Sequence, residues 1–181
     1  MMHFIDVGAN EGQTFDYLHE HPEYDGCTVW CFEPSPRSLE GLMRRASMEH
    51  GRYNVHVCPF GVRGSSGITP FFLMETGSQA DSFHKDVGPA IERAYSLDIY
   101  SVSIVNWLIE NVSNLDVAFL KLDCEGSEYE ILWKLLGNDS AFCRVQRILV
   151  EFHPIANPVT DADELVARYR AKGKPLEEWL R

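Results

Sequence analysis

Short apolar runs alternate with segments of helical periodicity along nearly the whole chain, and that alternation leaves few folds open. Residues 4–7, 28–32, 54–58, 68–74, 99–105, 117–122 and 147–152 read as strands. Residues 14–21 carry Phe15 and Leu18 on one helical face. Ser35 and Pro36 read as the N-cap and first residue of a helix bearing Leu39, Leu42, Met43 and Ala46. Helices are also expected at 107–112, around Ile131, Leu132, Leu135 and Leu136 up to Gly137, and at 161–171. The pattern predicts an α/β fold, a doubly wound, mainly parallel sheet with helices on both faces. With 181 residues, no internal repeat and no low-complexity linker, the chain is expected to form one domain. The middle, 59–105, is less regular, and the polar stretch around 77–88 reads as a mobile loop.

Ligands in such sheets bind beyond the carboxyl ends of the strands, where strand order reverses. That rule gathers the 8–12 turn, Glu33, Phe60-Gly61, residues 123–126 and residues 151–153 on one rim. Directly behind the first apolar run stands Asp6-Val7-Gly8-Ala9-Asn10-Glu11-Gly12. A glycine-rich turn that feeds a helix points backbone N–H groups and a positive dipole end at one place, suited to a carboxylate or phosphate. Glu33 closes the second run 21 residues after Gly12, a spacing at which a carboxylate accepts hydrogen bonds from ribose hydroxyls. Together they indicate an adenosine-type cofactor. Glu33 also reads, more simply, as a charge complementing the dipole of the helix at Pro36.

A nicotinamide dehydrogenase would carry G-x-G-x-x-G, and this chain has D-x-G-x-N-x-G instead. Three later stretches accompany it: Phe32-Glu33-Pro34-Ser35-Pro36, Leu120-Lys121-Leu122-Asp123-Cys124-Glu125-Gly126-Ser127-Glu128, and Leu149-Val150-Glu151-Phe152-His153. In this order and spacing, over roughly residues 4–153, they resemble the FkbM family of Rossmann-like S-adenosylmethionine-dependent methyltransferases. The resemblance implies methyl transfer to a hydroxyl oxygen of a small molecule or glycan. It assigns the cofactor to Asp6, Gly8, Ala9, Asn10, Gly12, Glu33, Pro34, Phe60, Gly61 and Asp123. Asp6 would order the loop or meet the cofactor's ammonium, Glu33 would take the ribose hydroxyls, and Phe60-Gly61 would lie beside the adenine. His153, Glu125 and Glu151 are the candidates for taking the acceptor's proton and holding the acceptor. His153 is the natural base because an unperturbed imidazole titrates near working pH.

Plainer readings stand beside these. Lys121 reads as a structural lysine that snorkels to the rim or pairs with Asp123 or Glu151. Glu125 and Glu128 suit a helix entry, and His153 suits a cap on its strand. A metal centre of Asp123, Glu151 and His153 is chemically reasonable, but no ligand spacing demands one and none is assigned. His84, in the polar loop, is the other histidine within reach of a substrate.

Acidic residues outnumber basic ones 27 to 16, a net charge of −11 that argues against a duplex nucleic-acid partner. Five cysteines without a C-x-x-C pair indicate reduced thiols, and no run is long enough to span a membrane, so a cytoplasmic protein is expected. The stretch 172–181 reads as charged and helix-like, with Leu176, Trp179 and Leu180 at helical spacing, where this fold class ends in an antiparallel strand pair. A bare sheet edge there would favour self-association. The competing function is a non-catalytic methyltransferase-like module that binds cofactor or partner.

Overall fold

Phe4 and Ile5 point to opposite faces of one strand, and both are fully buried. Such a strand needs cover on both sides, and β1 (Met2–Val7) lies in the middle of a parallel sheet. The structure is a computed structural model that describes residues 1–74, 81–85 and 93–179. After β1 come α1 (Thr14–Glu20), β2 (Thr28–Phe32), α2 (Pro36–Met48) and β3 (Asn54–Cys58). The middle holds β4 (Gly61–Arg63), β5 (Gly67–Met74), β6 (Arg93–Ser103) and α3 (Ile104–Asn111). Then follow β7 (Val117–Leu122), α4 (Glu128–Leu136), α5 (Asp139–Phe142), β8 (Val145–Val150), α6 (Ala162–Ala171) and β9 (Leu176–Glu178).

The main sheet runs β3-β2-β1-β7-β8-β9, with every neighbouring pair parallel. Period-2 alternation divides its side chains between two cores. On one face Phe4, Val29 and Cys31 meet Phe15 and Leu18 of α1 and Leu42 of α2. On the other, Ile5, Leu120, Leu122 and Ile148 meet Leu108 of α3, Ile131 and Leu132 of α4, and Leu165 of α6. The expected doubly wound arrangement is therefore what the chain adopts. Strand order reverses at β1, which has β2 on one side and β7 on the other. The crevice for a ligand opens where these strands end, at Val7, Phe32 and Leu122, which lie in register.

Several boundaries differ from the sequence reading. The strand expected at 99–105 is longer and earlier, Arg93–Ser103, and Ile104 and Val105 begin α3 instead. Antiparallel pairing with β5 extends it through polar residues that no apolar run marks. β4, only three residues long, has no sequence signature of its own; it pairs with β6 to make a second sheet, β4-β6-β5. The strand expected at 147–152 occupies Val145–Val150, so Glu151 and Phe152 lie beyond it.

The tail is the clearest correction. Gly173, with φ of 73°, closes α6, and Pro175 biases Lys174 toward an extended backbone, so a new helix does not form. Leu176–Glu178 instead becomes β9, paired with Ile148–Val150. Arg147 grips it with two hydrogen bonds to Glu177, of 2.8 and 2.7 Å. Trp179 donates its backbone N–H to Val150 and is buried against Tyr17 at 5.1 Å between centroids. Leu180 lies outside the described residues. Trp179→Ala is expected to cost about 3 kcal/mol in urea unfolding, as for a buried aromatic. A loss below about 0.5 kcal/mol, typical of exposed positions, would contradict this placement of the tail.

Candidate functional site

Where β1 stops, the chain must turn sharply against β7. Gly8 has φ of 82°, and a Cβ there would lie 1.8 Å from the carbonyl oxygen of Asp123. Only glycine permits both the turn and the approach. Asn10 follows with φ of 47°, a left-handed conformation that asparagine tolerates better than most residues.

A buried ammonium holds this turn. Asp6 of β1 and Lys121 of β7 are register partners, and the Lys121 Nζ stands 2.9 Å from Asp6 Oδ1 and 3.4 Å from Asp123 Oδ2. The same nitrogen donates to the Gly8 carbonyl at 2.7 Å. Asp6 is wholly buried and Lys121 nearly so. Lys121 is thus structural, joined to Asp123 as one reading expected and also to Asp6. Of the two roles considered for Asp6, the geometry supports ordering the loop, because its carboxylate lies inside the sheet and not in the cleft lining.

Glu33 ties the loop to the next helix. Its Oε2 accepts from the Asn10 N–H at 2.8 Å and its Oε1 from the Ser35 N–H at 2.7 Å. The carboxylate therefore serves the entry to α2, as its simpler reading expected, while also facing the cleft. Burial pushes its pKa up to about 7, against the lowering effect of those two N–H donors. Beside it opens a narrow cleft with Gly8, Asn10, Glu33, Pro34, Gly61, Asp123 and Glu125 among its walls. Asn10 Oδ1 is buried there without a hydrogen-bond partner among the described residues, an acceptor left for a donor on a ligand.

The far wall was not legible in the sequence. Within the stretch 77–88 only residues 81–85 are described. Ser35 donates its hydroxyl to Asp81 Oδ2 at 2.7 Å, and the Ser82 hydroxyl bonds the Glu125 carbonyl. These bonds bring Phe83 over Gly61, where a Cβ would fall 2.3 Å from the ring. Phe83 also packs on Phe71, with centroids 4.9 Å apart. The preceding backbone pairing of Phe72 with Ser82 is an isolated bridge, and no periodic pattern announces it. His84 donates its backbone N–H to Ser82 Oγ and is not among the cleft residues.

At the ends of β7 and β8 a second group assembles. Glu128, fully buried, accepts from the Cys124 and Gly126 N–H groups at 2.8 and 2.9 Å, a helix-entry role for this residue. Its Oε1 also meets His153 Nδ1 at 3.0 Å. His153 Nε2 faces Glu125 at 3.5 Å, Glu151 at 3.7 Å and Asp123 at 3.8 Å. Burial pulls the imidazole pKa down, but the Glu128 hydrogen bond and the charges of Glu128, Glu125 and Asp123 outweigh it and leave a pKa of about 9. The reason for favouring His153 as base, an ordinary imidazole pKa, does not hold in this setting.

The cleft thus unites Gly8, Asn10, Glu33, Pro34, Gly61, Asp123 and Glu125, with His153 behind the last two. Asp6, Ala9, Gly12 and Phe60 stand outside its lining, supporting the loop and the core. Phe83, Phe71, Asp81 and Ser38 belong to the lining and were not anticipated. A carboxyl whose folded pKa is raised favours the native state at low pH and loses that contribution as pH climbs through about 7. Without ligand, the stability of Glu33→Gln relative to the parent is expected to rise by about 2–3 kcal/mol between pH 5 and 8, followed by chemical denaturation. Parallel pH profiles would show that Glu33 is not desolvated.

The profile of the methyltransferase FkbM domain matches residues 6–174, nearly the entire chain. Searches of the curated proteins and of the solved structures found no match. Among the described residues no helix is long and apolar enough to cross a membrane. A domain profile of that extent, on a parallel sheet with its cleft at the strand-order reversal, makes the chain a member of the FkbM methyltransferase family.

Proposed function

We propose that the chain transfers a methyl group from S-adenosylmethionine to a hydroxyl oxygen of a small molecule or glycan. The observation that carries this reading is the cleft between the 8–12 turn and Glu33, set at the sheet's switch point. The residues fit a nucleoside with an amino-acid tail. Glu33 is a buried carboxylate with lone pairs beyond those given to Asn10 and Ser35, suited to a ribose diol. The orphaned Asn10 Oδ1 suits an ammonium or hydroxyl donor. When bound, S-adenosylmethionine supplies an electrophilic methyl on a sulfonium.

The protein's own part is alignment and proton removal. Glu33 and Asn10 orient the donor. Of the three proton-handling candidates, Glu125 lines the cleft, while His153 and Glu151 stand behind it at the ends of β8. Glu125 therefore takes the acceptor's proton, with His153 supporting it from behind and Glu151 beside His153. A second reading, a non-catalytic module that binds a partner, is favoured by one observation: Phe83 fills space beside Gly61 where an adenine would lie.

Calorimetry is expected to show S-adenosylhomocysteine binding at one site, weakened at least about tenfold by Glu33→Ala, as befits a lost charged hydrogen-bonding partner. No binding at near-millimolar ligand would defeat the reading and favour the module instead. Binding without methyl transfer to any hydroxylated acceptor would contradict turnover.

A further inference from the structure

The rim of the cleft holds a donor set more specific than general acid–base work requires. One ligand atom each of Asp123, Glu125 and His153 lies within 4.8 Å of the others. Asp123 directly follows β7 and His153 lies three residues beyond β8, whose ends are paired at Leu122 and Val150. Each side chain is also turned by a partner behind it. Lys121 lies 3.4 Å from Asp123 Oδ2, which leaves Oδ1 facing His153. Glu128 takes His153 Nδ1 at 3.0 Å, which leaves Nε2 facing the carboxylates. A carboxylate that holds the far nitrogen of an imidazole is the usual support of a metal-bound histidine.

The spacing around Nε2 does not suit a simple ion pair. One N–H can serve one acceptor well, at about 2.7–2.9 Å for a charged pair. Here three carboxylates surround it at nearly equal distances of 3.5, 3.7 and 3.8 Å. Ligands about 2.1 Å from a shared ion stand roughly 3.0–3.4 Å apart, so the imidazole would close on Asp123 and Glu125 by a few tenths of an ångström, and the widest separation in the set, up to 4.8 Å, would close by more. One imidazole with carboxylates suits Mn²⁺ or Zn²⁺ better than Ca²⁺.

We propose that Asp123, Glu125 and His153 form a divalent-cation site at the mouth of the cleft, with Glu151 close enough to join. The site stands on its own geometry. Its use, to bind the acceptor's hydroxyl oxygen as a Lewis acid, rests on the proposed O-methyl transfer. In the loaded enzyme Glu125 serves the ion in place of taking the proton, and the acceptor's proton passes to solvent.

The test titrates the full chain with Mn²⁺ alone, without methyl donor or acceptor, and follows the free-ion signal by electron paramagnetic resonance. One ion per chain is expected. Glu125→Gln and His153→Ala are each expected to weaken binding at least about tenfold, and the exposed Glu20→Gln to leave it unchanged. Circular dichroism checks that each variant is folded. No binding of Mn²⁺ or, by competition, Zn²⁺ at millimolar concentration overturns the proposal. So does binding that folded Glu125→Gln and His153→Ala both retain, since the ion then sits elsewhere. Calorimetry with S-adenosylhomocysteine on the same metal-free sample reads the donor cleft separately, so loss of one site is distinguishable from loss of the other.

Discussion

The ammonium of Lys121 is the interaction on which the site depends. It sits inside the sheet between two carboxylates, Asp6 from β1 and Asp123 just beyond β7, and holds the Gly8 carbonyl as well. A lysine so buried is costly unless its charge is met and its donors are used, and here three oxygens meet it. It joins the two strands that flank the switch point at the height where the cleft begins. The Gly8 turn can then pack directly onto the Asp123 backbone, an approach that leaves no room for a side chain.

The rest of the cleft is built outward from that tether. Glu33 bridges the turn to α2, and Ser35, freed from capping its helix, binds Asp81 instead. Asp81 and Ser82 carry the fold's smaller sheet to the rim, and Phe83 becomes the wall opposite Glu33. On the other side Asp123 turns one oxygen toward Lys121 and the other toward His153. Asp123, like Glu125, thereby belongs to both the cleft and the imidazole cluster, so the two halves of the site are mechanically joined.

Much of this was legible because the central parallel strands are largely apolar and the edge strand 54–58 alternates at Val55 and Val57. Residues 28–32, 54–58 and 117–122 were read with the observed bounds, since turn residues flank each run. The rim followed from the fold class, because strand ends in register place Gly8, Glu33, Asp123 and Glu151 together. What escaped reading depends on pairing between distant segments. β4 and the first half of β6 are strands only because each finds a partner in the smaller sheet. The approach of Phe83 to Gly61 joins segments with no shared pattern. Other signals were present but outweighed: Gly173 and Pro175 announce the end of α6, yet the spacing of Leu176 and Trp179 imitates a helix. Asp6 and Lys121, each a charge one residue before a strand's end, could have been matched as partners once β1 and β7 were placed side by side.

The most direct measurement is the unfolding free energy of Lys121→Met, a substitution of similar length that removes the charge and its hydrogen-bond donors. If the ammonium holds the turn, two buried carboxylates lose their partner, and urea denaturation at neutral pH should show a loss of about 3–5 kcal/mol. A change within about 0.5 kcal/mol of the parent would mean that the strand ends and the Gly8 turn stand without it. The tether would then not be what shapes the cleft.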